Sequence, residues 1–150
     1  MKSVVQRVAS ASVDVEGERI GEIGVGMLIL LGVERGDTER DADVLAAKLA
    51  GLRIFRGDRP MDRALADVGG AALVVSQFTL SGSVRKGRRP GFEAAEDPAR
   101  AATLYEHFCR SLAGHDVPVQ TGRFGADMQV RLLNDGPVTL LVDCRDGAIV

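Results

Sequence analysis

Apolar runs of the length expected for strands recur along the whole chain. Residues 4–15 form the first run, which alternates apolar and polar positions towards its end, as a half-buried strand does. Residues 27–31 are continuously apolar, which is typical of a central strand covered on both faces. Four further runs, rich in β-branched residues and bounded by turn residues, predict strands at 71–80, 117–121, 124–133 and 137–143.

Two segments between these strands show helical periodicity instead. Asp37 or Thr38 is placed to cap a helix that ends near Leu52, with apolar residues every three or four positions. A second helix is predicted to start near Asp97, with Pro98 at its first position. Runs of strands separated by single helices predict an α/β fold: a mixed, barrel-like curled β-sheet with two main helices packed against it. We expect residues 1–150 to form a single domain, with 144–150 as a polar tail.

Composition narrows the class of protein. Aromatic residues make up only 4% of the chain, so the core must be aliphatic. A formal net charge of −2 excludes a protein that coats nucleic acid through bulk charge, but not one with a local basic patch. Cys109 and Cys144 lack metal-ligand spacing and are typical of free thiols in a reducing compartment. We therefore expect a cytoplasmic protein with no metal, no cofactor and no membrane partner.

The polar end of the predicted strand at 71–80 is the strongest candidate for chemistry. Ser76, Gln77, Phe78 and Thr79 follow a buried run, so a rigid strand would deliver polar groups to one place. On an extended strand Gln77 and Thr79 would share a face. The adjacent N–H groups of Phe78 and Thr79 could stabilise a developing oxyanion. Thr79 is either a nucleophile or a structural hydroxyl, since no adjacent base is visible to activate it.

The histidines and the basic loop each leave alternatives open. His107 and His115 lie in no nucleophile motif and near no carboxylate cluster, so hydrolysis here would proceed without a histidine base or a zinc-bound water. Four cations lie in the loop at 81–91, which is either a solvated surface or an arm that contacts nucleic-acid phosphates. They are Arg85, Lys86, Arg88 and Arg89.

Two motifs together resemble the signature of a known family. The motif at residues 76–80, taken with the one at 134–139, resembles the signature of the D-aminoacyl-tRNA deacylases, formerly called D-tyrosyl-tRNA deacylases. Segments at 6–13, 21–32, 53–55 and 121–128 also look like family segments in the same order, so the likeness runs from about Lys2 to Val142. The resemblance implies a compact α/β unit with a barrel-like sheet, working as a homodimer with active sites at the subunit interface.

The resemblance also implies roles for particular residues. In the family the Gly-Pro bond is cis, and Gly136 and Pro137 would reach into the partner's site and exclude an L side chain with their carbonyl groups. A thousandfold exclusion needs only about 4 kcal/mol. Phe124 and Met128 match pocket-lining positions and would enclose the adenine or the aminoacyl end, the alternative being sheet core. The basic loop would contact tRNA.

The implied reaction is hydrolysis of the ester that joins a D-amino acid to the terminal adenosine of tRNA. Glycyl-tRNA mischarged on tRNA-Ala is a second candidate substrate. Either Thr79 attacks, or the 2′-hydroxyl of the adenosine assists a water; the lack of a histidine base favours the second. Two other functions stay open: a non-catalytic tRNA-binding module, and a small-ester hydrolase that uses Thr79 directly. DNA is not expected as a partner.

Overall fold

An antiparallel unit of three strands begins the fold. The computed structural model describes residues 1–150, and these strands are β1 (Lys2–Val15), β2 (Glu18–Ile23) and β3 (Gly26–Gly32). β1 is long enough for its first half to pair with β3 and its second half with β2. Glu16 and Gly17, both at positive φ, form the two-residue turn between β1 and β2.

Three further strands extend this unit into a curled sheet. β4 (Ala71–Ser76) runs parallel to β3, and β5 (Val119–Thr121) runs parallel to β4. β6 (Gln129–Leu141) returns antiparallel along β1. The ends of the sheet approach each other at Gly21, where an added Cβ would lie 2.8 Å from the carbonyl oxygen of Thr121. Glycine at this position therefore lets the sheet curl until it is nearly closed.

Two helices cover one face of the sheet. α1 (Glu39–Ala50) begins at a capping box, in which Thr38 and Asp41 each bind the other's backbone N–H. α2 (Pro98–Ala113) begins at Asp97, whose carboxylate accepts a hydrogen bond from the Ala99 N–H. α1 lies within two residues of its predicted limits, and α2 starts where it was predicted. Neither helix is long and apolar enough to cross a membrane.

The central strands divide their side chains between two apolar clusters. Because successive side chains on a strand point to opposite faces, Met27, Ile29 and Leu31 of β3 pack with the helices while Leu28 lies inside the curled sheet. β4 behaves in the same way. The predicted fold class, a barrel-like mixed sheet with two helices packed against it, is confirmed.

The predicted strand at 71–80 is wrong beyond its sixth residue. β4 ends at Ser76, and Phe78–Ser81 form a 3₁₀ turn. The Gln77 N–H makes the last bond to the neighbouring strand, to the Leu31 carbonyl at 2.8 Å, and β3 itself ends one residue later. Without a partner strand to continue the ladder, the backbone turns. Gln77 and Thr79 therefore do not face the same side of an extended strand.

The last third of the chain also differs from its prediction. The strands predicted at 124–133 and 137–143 are joined in one strand, β6, that passes through Gly136 and Pro137. Residues 124–128 of the first prediction are wrong, because they form a turn that precedes β6. Residues 144–150, predicted as a polar tail, contain β7 (Cys144–Arg145) and β8 (Ala148–Ile149), which pair with each other. The Gly147 N–H binds the Asp41 carboxylate at 2.8 Å, so this hairpin is attached to α1.

Candidate active site

A cavity of about 670 Å³ lies where the end of β4 meets α2 and the segment that precedes β6. Its wall is mostly apolar and aromatic. The chain has five phenylalanines and one tyrosine, and four of these six residues line the cavity: Phe78, Phe92, Tyr105 and Phe124. A concave site with an aromatic wall and a few polar groups is typical of ligand binding.

The turn that follows β4 leaves two backbone N–H groups without acceptors, one of them on a residue of the cavity wall. Ser76, Gln77 and Phe78 line the cavity. The N–H groups of Phe78 and Thr79 begin the 3₁₀ turn and make no hydrogen bond within the chain, as expected for the first turn of a helix. Two neighbouring N–H groups that lack acceptors can bind an oxyanion.

The side chains of Gln77 and Thr79 contact each other despite the turn. The Gln77 amide Nε2 donates a hydrogen bond to the Thr79 hydroxyl. Thr79 is exposed and is not part of the cavity wall, and no basic side chain binds its hydroxyl. The amide therefore orients this hydroxyl but cannot take its proton.

Tyr105 connects α2 to the strand that carries these donors. Its hydroxyl donates to the Val74 carbonyl at 2.8 Å, and the Gly122 N–H donates to the same oxygen at 3.0 Å. Burial raises the pKa of the phenol, so Tyr105 acts here as a neutral donor. Its ring lies 5.8 Å from that of Phe124. The Val74 carbonyl thus joins β4 to α2 and to the segment that follows β5.

The second motif protrudes from β6. Between two β1 residues, Gln6 and Val8, the pairing on β6 moves from Thr139 to Asn134, so the residues between them bulge outwards. The Asn134 amide closes the base of the bulge with hydrogen bonds to the carbonyls of Arg7 (2.9 Å) and Val138 (3.0 Å). The Gly136–Pro137 peptide bond is cis.

Arg7 supports this bulge from below. Its buried guanidinium donates to the carbonyls of Asp135 (2.8 Å) and Ile54 (2.6 Å) and pairs with the Asp135 carboxylate at 3.2 Å. Gly136 has a φ of +142°, and a Cβ there would lie 2.9 Å from the Val138 nitrogen. A side chain at position 136 would therefore clash as well as strain the backbone.

The structure brings only part of the predicted site together. Phe124 and Met128 line the same cavity as Ser76, Gln77 and Phe78. Gly136 and Pro137 do not line it within one chain. His107 binds Asp43 on the exposed surface of α1 and α2, and neither it nor His115 lines the cavity.

The basic loop extends from the rim of the cavity. Ser83 and Gly91 exchange backbone hydrogen bonds at its base, and the next residue, Phe92, lines the cavity and lies 5.0 Å from the Phe78 ring. The four cations between them are exposed and form no ion pair within the chain: Arg85, Lys86, Arg88 and Arg89.

Sequence reasoning missed two functional candidates, Tyr105 and Arg7. Tyr105 lies on the apolar side of α2, where the spacing of apolar residues in the sequence does not distinguish a pocket residue from a core residue. Arg7 gave a signal that could have been used, because it alternates with Ser3 and Val5 on one face of β1, and an arginine on a buried face needs partners.

The molecule is a small α/β protein in which a curled mixed sheet ends beside an aromatic cavity and leaves two backbone N–H groups without acceptors. The family model described as D-Tyr-tRNA(Tyr) deacylase matches residues 4–143, and the chain belongs to this family of hydrolases. The resemblance predicted from the sequence is thereby confirmed.

Individual relatives agree with this assignment. The D-aminoacyl-tRNA deacylase of Ruegeria pomeroyi is 54% identical over 95% of this chain and 99% of its own length. That of Paracoccus denitrificans is 52% identical over 99% and 100%. A solved structure of a c-Myc DNA Unwinding Element Binding Protein is 38% identical, with a TM-score of 0.90 over 97% of this chain and 99% of that one. A probable eukaryotic D-amino acid tRNA deacylase shares the fold at a TM-score of 0.78 and 20% identity, over 95% and 98%.

Proposed function

We propose that this chain hydrolyses the ester between a D-amino acid and the terminal adenosine of tRNA, releasing both. The observation that carries the proposal is the pair of free N–H groups at Phe78 and Thr79, beside a cavity with an aromatic wall. Hydrolysis of an ester passes through an oxyanion, and such donors stabilise it. Glycyl-tRNA mischarged on tRNA-Ala is a further substrate, because glycine has no side chain to exclude. The reaction takes place in the cytoplasm, which the two free cysteines support.

The nucleophile is a water assisted by the adenosine's 2′-hydroxyl. Thr79 has no base, and its hydroxyl is held by an amide. A reaction of this kind relies on positioning and on the oxyanion donors. Ser76, Gln77 and Phe78 position the ester, while Phe124 and Met128 enclose its adenine or aminoacyl end.

The mechanism is tested by Thr79→Val and by a substrate that ends in 2′-deoxyadenosine. We expect Thr79→Val to keep most of the single-turnover rate and the deoxy substrate to lose nearly all of it. The opposite pattern would assign the nucleophile to Thr79 and would support direct attack on small esters.

Chiral selection comes from Gly136 and Pro137 of a second protomer. These residues lie outside the cavity of their own chain, on an outward bulge of β6. Leu133 and Leu141 of the same strand are 62% and 79% exposed, as expected for a surface that a partner covers. In a homodimer, the backbone carbonyls of this bulge would meet the substrate's α-carbon and leave no room for an L side chain.

The basic loop binds the tRNA backbone. Its four unpaired cations start at the cavity rim, so they would contact phosphates near the acceptor end. The function as a whole is tested with matched D-Tyr-tRNA and L-Tyr-tRNA in excess chelator, with ester loss followed in time. We expect loss of the D ester alone. Tight binding of tRNA without loss of either ester would identify a binding module instead.

A further inference from the structure

One aromatic ring contacts both ends of the turn that carries the free N–H groups. At the start of this turn, the ring of Phe92 lies edge-on to that of Phe78, with 5.0 Å between the ring centroids and 66° between the ring planes. At the end of the turn, the Phe92 ring lies against Gly82, whose N–H donates to the Thr79 carbonyl at 3.0 Å. Phe92 therefore spans the whole of Phe78–Ser81 from outside it.

Gly82 is needed for this close approach rather than for its backbone conformation. Its φ of −69° is accessible to any residue. An added Cβ, however, would lie 3.0 Å from Cε1 of the Phe92 ring and 2.9 Å from the Thr79 carbonyl oxygen. The lack of a side chain at this position therefore lets the ring reach the backbone of the turn.

The Phe92 ring is itself held in place at the cavity rim. Gly91, which precedes it, exchanges backbone hydrogen bonds with Ser83 at 2.8 and 2.9 Å, and the Phe92 carbonyl accepts a hydrogen bond from the Ala95 N–H at 3.0 Å. Phe78, by contrast, is 60% exposed, so burial in the core does not fix the start of the turn. The position of the turn therefore depends on its contact with Phe92.

We propose that Phe92 is a positioning residue for hydrolysis: its ring fixes the turn so that the N–H groups of Phe78 and Thr79 point at the developing oxyanion. This assignment rests on the proposed function, since it takes these two groups to be the oxyanion donors. Such donors work only when they are aimed at the place where the charge develops, and a misplacement of about 1 Å can cost about 100-fold in rate. Loss of the Phe92 ring should therefore impair the transition state and spare the bound substrate.

Binding of two stable analogues, measured by calorimetry, separates these two states. The amide 3′-deoxy-3′-(D-phenylalanylamino)adenosine keeps the planar carbonyl of the substrate. In its phosphinate counterpart, a tetrahedral P(=O)O⁻ group replaces the carbonyl and a methylene group replaces the amide nitrogen. We expect the wild type to bind the phosphinate about 100-fold more tightly than the amide. Phe92→Leu should keep the affinity for the amide and lower the preference for the phosphinate about tenfold or more.

Phe124→Leu is the matched control, because it removes a ring of the same cavity wall that packs on Tyr105 rather than on the turn. It should weaken both analogues alike, since Phe124 is proposed to enclose the substrate. Phe78→Ala should lower the preference less than Phe92→Leu, because Phe92 still contacts Gly82 in that variant. In steady-state hydrolysis of D-Tyr-tRNA, Phe92→Leu should lower kcat and leave KM nearly unchanged.

Three results would overturn the assignment: a wild type that binds both analogues equally, a Phe92→Leu protein that keeps the full preference, or one that weakens both analogues alike, as a direct substrate contact would. Failure of the wild type to hydrolyse D-Tyr-tRNA would contradict the proposed function instead. The two failures are therefore distinguishable.

Discussion

At the residue scale, the proposed oxyanion site would use the backbone N–H of Phe78 rather than its ring. The sequence predicted N–H donors at Phe78 and Thr79, and the structure leaves both without acceptors. The sequence could not predict why they are free. An extended strand was expected at this point, whereas the donors are free because β3 ends and the chain turns at Phe78–Ser81.

Phe78→Pro tests the backbone donor directly. Proline is tolerated at the first position of a helical turn, and Gln77 (φ −145°, ψ 77°) lies outside the α region that a following proline disfavours. Loss of one oxyanion donor should lower kcat about 100- to 1,000-fold. Phe78→Ala is the control, because it removes the same ring and keeps the N–H. Equal losses in the two variants would show that the ring, not the donor, matters.

At the element scale, the sequence predicted both helices well because periodicity and caps are local signals. It failed for β6, because a glycine before a proline ordinarily marks the end of a strand. The bulge is held by non-local partners that no local pattern contains: Arg7 from β1 and the closing amide of Asn134. The hairpin at the C-terminus was missed for the same reason, since it depends on the distant carboxylate of Asp41.

Asp41 should make the attachment of this hairpin sensitive to acid. Burial opposes its ionisation, but hydrogen bonds from Thr38, Gly147 and Cys144 outweigh burial and lower its pKa to about 2. Because the folded pKa lies below the ordinary value of about 3.9, the stabilisation is complete above about pH 5 and is lost as the pH falls towards 2. The loss amounts to about 2 kcal/mol in the free energy of unfolding.

Denaturant unfolding of the wild type and Asp41→Asn across this range measures the effect. The variant should be less stable at pH 7, and the difference between the two proteins should shrink between pH 5 and pH 2. A difference that stays constant with pH would show that Asp41 contributes packing rather than charge.

We expect the basic loop at 81–91 to bind tRNA through its charge alone. Replacing Arg88 and Arg89 by glutamine should weaken tRNA binding and reduce the slope of log Kd against log salt by about 1.4–1.8, since each phosphate contact contributes about 0.7–0.9. The double variant of Lys48 and Arg110, two exposed helix cations, changes the net charge equally and should keep the wild-type slope. Equal slopes in all three proteins would identify the loop as a solvated surface.

At the scale of the whole molecule, the two motifs that carry the family resemblance do not meet within one chain. The cavity contains the first motif and lacks Gly136 and Pro137 of the second. β6 pairs only with β1 and exposes leucines, so a second copy of the chain has a free surface to cover. The fold class was predictable from one sequence, but the separation of the motifs was not, because it depends on how the sheet curls.

The central claim is that one active site is assembled from two subunits, and mixing two inactive proteins tests it most directly. Phe78→Pro disables the donor side of the site, and Gly136→Ala disables the bulge, where the added Cβ would lie 2.9 Å from the Val138 nitrogen. After equal amounts are unfolded and refolded together, half of the dimers should be mixed, and each should hold one intact site. The account predicts that D-Tyr-tRNA hydrolysis recovers to about one quarter of the wild-type rate, with no recovery when either variant is refolded alone. A mixture that stays as inactive as its components would contradict the shared site.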